Sequence, residues 1–154
     1  MIASKSPLNW QQFGVLNWEQ YFVEPDESVA EIDPIQLFND YQIDIDFSHV
    51  EVEENMMQVF LKIGINNVDK PLPGYKIFIE AVGIFDTSQT RDLEEDQKQN
   101  LEIFATTNLM IGRLRGIIPL LSGQGPFGAY NLPSLDLNNL LKQKMESVDE
   151  ETED

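Results

Sequence analysis

The stretch SGQGPFGAYNLPSL at 122–135 holds Gly123, Gly125 and Gly128 at the G-x-G-x-x-G spacing with which dinucleotide-binding loops cradle a pyrophosphate. That chemistry needs a strand before the loop and a helix starting inside it, so that free amides at the helix N-terminus meet the phosphates. Here the preceding residues carry helical periodicity and NLPSL reads as extended, so the glycines suit the end of a helix and its turn. The remaining residues with chemical potential are carboxylates: Asp44 with Asp46, Glu53 with Glu54, and the cluster Glu94, Glu95 and Asp96. With a single histidine, His49, and no cysteine, none of these sets has metal-ligand spacing or a base beside a nucleophile, and each reads as solvated charge. No catalytic residue, metal or cofactor is expected, and the chain is not expected to be an enzyme.

The elements that position these residues follow from apolar spacing. Trp10 to Phe22 is rich in aromatics and β-formers and runs into a polar loop over 24–35. Tyr41, Ile43, Ile45 and Phe47 alternate with Gln42, Asp44 and Asp46, a two-residue period that separates an apolar face from an acidic one. Met57, Val59, Leu61, Ile63 and Ile65 repeat the pattern, and YKIFIEAVGIF at 75–85 supplies a fourth strand. From Asp92, with Glu95 as a capping partner, the period lengthens: apolar positions 103, 104, 110, 111, 114, 117, 118 and 121 form a helical stripe, with Pro119 in its last turn. A shorter amphipathic helix spans Leu135 to Met145. The expected class is α+β, a four-stranded antiparallel sheet packed with a long helix and a shorter C-terminal helix.

The 154 residues suffice for one domain, placed at 10–145, after a flexible N-terminus at 1–9. The terminal ESVDEETED holds six acids and no base, so 146–154 is expected to be a disordered acidic tail. A net charge of −17 repels phosphate backbones and anionic lipid, which argues against nucleic acid. The segment LMIGRLRGIIPLL contains two arginines and is too short to cross a bilayer, and MIASKSPLNWQQF lacks a signal peptide's apolar run; no membrane insertion and a cytoplasmic location are expected.

NLMIGRLRGIIPLLSGQGPFGAYNLPSLDLNNLL, at 108–141, resembles the C-terminal part of SecB, the bacterial protein-export chaperone family. A family helix of the type N-I-L-F-P-Y-x-R-E precedes a glycine-containing turn, a phenylalanine and an L-N-L-x-P-[VI]-[ND]-F-x-x-L segment. Phe127, Asn131, Leu132, Leu135, Asp136 and Leu140 occupy the corresponding places, and Arg115 falls at the family arginine. Gly112 stands at a usual proline, Arg113 at a usual tyrosine, and Pro133-Ser134 inverts the usual order. Upstream, four strands and the GIF at 83–85 extend the resemblance over about 10–145.

The resemblance implies an ATP-independent holdase that binds unfolded or precursor polypeptides in export, with a client groove carried over onto Leu37, Tyr41, Ile43, Ile45 and Leu141. It implies docking to the export motor ATPase through Glu24, in the VEP, and Glu19, and a homotetramer assembled as a dimer of dimers. Self-association also has a reading independent of the family. Ile77, Ile79 and Ala81 face one way and Phe78, Val82 and Ile84 the other, so a lone two-layer subunit leaves apolar surface uncovered. Gly112 and Gly116, four apart, make a smooth strip for close backbone approach at an oligomer interface, with Arg113 and Arg115 as partners for carboxylates. Two alternatives stay open: a SecB-like adaptor or chaperone dedicated to one partner, such as an antitoxin, and a hot-dog-like thioesterase, whose fold also pairs an antiparallel sheet with a long helix.

Overall fold

Alternating apolar and polar residues build β1 (Asn9–Val23), β2 (Ile43–Glu53), β3 (Met56–Ile65) and β4 (Gly74–Asp86), in a computed structural model that describes residues 1–25 and 33–152. The loop expected over 24–35 falls largely outside the described residues. All pairings are antiparallel, in the order β1-β4-β3-β2, so β1 and β2 form the two edges. The β2–β3 link is tight, with Asn55 at a φ of 67°. Buried Asn66 organises the β3–β4 link: its Nδ2 donates to the carbonyls of Leu72 (2.8 Å) and Tyr75 (2.7 Å), and its Oδ1 accepts from Leu72 N (2.9 Å).

One sheet face is sealed. Val59, Leu61, Ile63 and Ile65 from β3, with Tyr75, Ile77, Ile79 and Phe85 from β4, are fully buried, each worth about 1.5–3 kcal/mol by removal from water. On the opposite face Phe60, Phe78, Val82 and Ile84 stay half-buried around a Lys62–Glu80 ion pair of 3.5 Å. The two-sided apolar character expected of β4 is therefore present.

The sealed face is covered by one long helical run at 95–122, composed of α2 (Glu95–Gln99), a π-helical turn (Asn100–Ala105) and α3 (Thr106–Ser122); a single turn, α1 (Pro34–Leu37), precedes β2. Met110, Ile111, Leu114 and Ile118 fill the helix–sheet interface, whereas Leu121, expected in the same stripe, is exposed. Gly83 permits the approach: a Cβ there would sit 2.5 Å from Met110 Sδ. The Asp92–Glu95 capping box does not form, because the helix begins at Glu95 and Glu94 caps it without a side-chain bond.

The last helix, α4, runs Leu137–Thr152. Asp136 caps it, its Oδ1 accepting from Asn139 N at 3.0 Å. Residues 146–152, expected to be disordered, continue this helix. Glu146, Glu150 and Glu151 are good helix formers, and Lys142 supports Glu146 one turn on at 3.9 Å.

Candidate functional site

Between the edge strand β2, the π turn and α4 lies a groove of about 750 Å³. Phe47, Ile103, Phe104, Leu141 and Met145 give it apolar walls, and His49 stands in the β2 wall. Asp96, Gln99, Asn100, Asn138 and Lys144 form its polar margin. The side chain of Met145 is 68% exposed at the groove, a soft apolar surface suited to contacts of varied shape.

Two threonines bond back onto the π turn. Thr106 Oγ1 donates to the Glu102 carbonyl (2.7 Å) and Thr107 Oγ1 to the Ile103 carbonyl (2.7 Å), back-bonding the widened turn from its C-terminal side. With both hydroxyl protons so used, the His49 Nε2 contacts to Thr106 Oγ1 (3.0 Å) and Thr107 Oγ1 (3.2 Å) place the imidazole proton on Nε2. Burial pushes the His49 pKa down to about 4, so the ring is neutral near pH 7. Strand and helix are thus tied at the base of the groove by an uncharged hydrogen-bond set.

A second tie closes the groove's flank. Lys144 of α4 donates to Asp46 Oδ1 at 2.7 Å and lies 5.8 Å from the Phe47 ring centroid. The same Oδ1 accepts from the Phe47 amide at 2.9 Å. The hydrogen bond from Lys144 holds the Asp46 carboxyl below its ordinary range.

Of the five residues expected to line a client groove, Leu141 is among the lining of this pocket. Leu37, Ile43 and Ile45 are not among its lining and are half-buried against the core. Tyr41 needs correction: it precedes β2, is only 5% exposed and packs with Phe38 and Tyr130. Its hydroxyl donates to the Pro73 carbonyl (2.8 Å) and accepts from Tyr75 N (2.9 Å), which makes it a core residue of the single chain. Glu19 is half-buried on the half-covered sheet face opposite Phe78, and Glu24 is exposed just beyond β1. Gly112 and Gly116 are exposed on α3 with open space where a Cβ would project. Among the described residues neither arginine takes the carboxylate expected of it: Arg115 donates to the carbonyls of Leu132 and Pro133, clamping the extended return segment, and Arg113 lies 5.6 Å over the Phe13 ring.

The glycine loop follows α3 and leads into extended chain. Gly123 N bonds to the Pro119 carbonyl at 3.0 Å, and Gly128 takes a φ of 74°. The Tyr75 hydroxyl organises the turn, donating to the Gly128 carbonyl (2.9 Å) and accepting from Phe127 N (2.8 Å). Sequence reasoning missed Phe47 as groove lining along with Ile103, Phe104, Lys144 and Met145. Phe47 and Met145 carried a signal in their apolar periods, whereas a π turn has none. Among the described residues no group of three or more His, Cys, Asp or Glu could hold a metal, and no helix is long and apolar enough to cross a membrane.

A four-stranded antiparallel sheet, one long helix across it and a further C-terminal helix are the SecB-like arrangement of an α+β chain. A solved structure of the Mycobacterium tuberculosis SecB-like chaperone Rv1957, in complex with a ChAD peptide from the HigA1 antitoxin, superposes with a TM-score of 0.53 at 12% identity, covering 84% of this chain and 91% of that one. A Streptococcus agalactiae protein of unknown function overlays at a TM-score of 0.42 and 6% identity, over 82% of this chain and 97% of that one, too loosely to bear on the fold. No family model and no curated protein matches the chain.

Proposed function

We propose that this chain is an ATP-independent holdase that keeps non-native polypeptides unfolded and soluble by lodging their apolar side chains beside β2. The observation that carries the reading is the half-open apolar groove that a SecB-like fold leaves between β2, the π turn and α4. Such a site gains about 25 cal/mol per Å² of apolar surface taken from water, with little demand for one sequence. Leu141 contacts the client directly, and Leu37, Ile43 and Ile45 extend the surface along β2. Glu19 and Glu24 are proposed to dock a receiving partner, with an export motor ATPase as candidate, in the cytoplasm. Self-association into a tetramer is proposed along α3, where Leu109, Gly112, Gly116 and Leu120 share one outward stripe.

The test is light scattering from reduced insulin and from heat-unfolded citrate synthase. Stoichiometric chain suppresses both, and Leu141→Glu, which sets a charge in the groove, lowers suppression at least several-fold while leaving the circular dichroism spectrum intact. Absence of suppression by the unaltered chain for both clients sinks the reading.

A second reading, a chaperone dedicated to one partner such as an antitoxin, is favoured by the antitoxin-peptide complex of the similarly folded Rv1957 chaperone. It is distinguished by tight binding to a single co-purified protein and indifference to generic unfolded chains.

A further inference from the structure

β2 is an edge strand, and between Ile43 and Glu53 no backbone hydrogen bond to any element other than β3 is formed among the described residues. An edge of this kind is a template for another strand unless it is blocked. The Phe47 amide shows which way the backbone turns. It donates to the carboxylate of its own neighbour, Asp46, at 2.9 Å. Phe47 pairs across from Leu61, and in an antiparallel ladder such a residue, with its amide outside the ladder, directs both backbone groups to the free edge. Two residues away on either side, Ile45 and His49 do the same.

That free edge borders the groove, and its one occupied donor is held by a side chain that Lys144 in turn grips at 2.7 Å from α4. We propose that the Phe47–His49 edge of β2 is a strand-pairing site, latched shut by Asp46 and Lys144, which an extended polypeptide opens by adding as a fifth strand. The incoming carbonyl replaces the Asp46 carboxylate on the Phe47 amide. A strand added at the ~4.8 Å sheet spacing lies within the groove, its inward side chains meeting Ile103, Phe104, Leu141 and Met145. The occupant is an alternating apolar segment with basic flanks, because Asp46 once released, Asp44 and Asp96 border the site in a chain of net charge −17. This mode rests on the holdase reading and specifies how the backbone, rather than the side chains alone, is recognised.

The test uses a synthetic peptide of alternating valine and threonine flanked by two lysines at each end, beside a twin N-methylated at every second residue, which keeps the side chains and removes one edge's donors. Fluorescence anisotropy with the full chain shows the methylated twin binding at least tenfold more weakly. Lys144→Ala, which frees the latch without touching the groove's apolar walls, raises affinity for the unmethylated peptide about threefold or more. Hydrogen exchange slows at Phe47 and His49 on binding. Equal affinity for the two peptides, or protection confined to β1 or the outward face of α3, overturns strand pairing while suppression of insulin aggregation still stands. Loss of that suppression instead removes the holdase reading, and this proposal with it.

Discussion

Tyr75 and Tyr130 sit in one aromatic cluster with Phe38 and Tyr41, both almost wholly buried, yet their hydroxyls have opposite circumstances. Tyr75 Oη holds the glycine loop through one donated and one accepted bond. Tyr130 Oη is buried without a hydrogen-bond partner among the described residues, and its pKa is pushed up to about 12, chiefly by burial. Tyr75→Phe orphans the Phe127 amide and the Gly128 carbonyl and costs about 1–3 kcal/mol, whereas Tyr130→Phe is neutral or slightly stabilising, because it removes a desolvated group that nothing satisfies. Urea midpoints at constant m-value measure both. A larger loss for Tyr130→Phe than for Tyr75→Phe contradicts the assignment of the two hydroxyls.

At the scale of elements, the junction of β2 with the π turn is held by one neutral histidine. His49 has its pKa depressed in the folded chain, so its contribution is fully present above the unfolded value of 6.5 and is lost as pH falls toward about 4, where the unfolded chain takes up a proton and the native one resists it. The loss is on the order of 2 kcal/mol after allowance for partial exposure. His49→Gln keeps a donor but removes the titration, and its stability from pH 7 to pH 4, read by urea denaturation, loses that part of the slope. A slope identical to the parent's would show that His49 is not the titrating tie. This junction also marks where sequence reading stops. The strands were legible because a two-residue apolar period leaves little choice of face, and the α3 stripe because 110, 111, 114 and 118 match a helical turn. The π turn was not, since Thr106 and Thr107 are ordinary helix residues until the carbonyls they serve are known. Of the groove, the amphipathic spacing of α4 put Leu141 on an apolar face, and only the family resemblance assigned it to a groove. Tyr41 continued the β2 alternation, but that alternation faces the core, as Phe47 across from the buried Leu61 shows, and the Tyr41 ring packs there with it.

For the whole molecule, two runs of uncovered apolar surface lie on α3 and β1. Leu109 and Leu120, 41% and 72% exposed, flank Gly112 and Gly116 along α3, and Val15, Leu16, Tyr21 and Phe22 are exposed on β1. The proposed self-association predicts a multi-angle light-scattering mass several times the 17.6 kDa of one chain, reduced by Leu109→Lys with Leu120→Lys, whose charges oppose burial. A monomeric mass for the unaltered chain at micromolar concentration rules the assembly out. One border of the sheet bears on how such growth would end. The register of β1 against β4 slips twice, between Trp10 and Gln12 and between Val15 and Asn17. Each slip inserts a residue without a mate and sharpens the local twist, so the outer rim of β1 presents a broken and turning row of donors and acceptors rather than a long flat one. Copies meeting there are steered away from indefinite ribbon-like stacking, which keeps a greasy, concentrated protein from seeding the very precipitates a holdase would restrain.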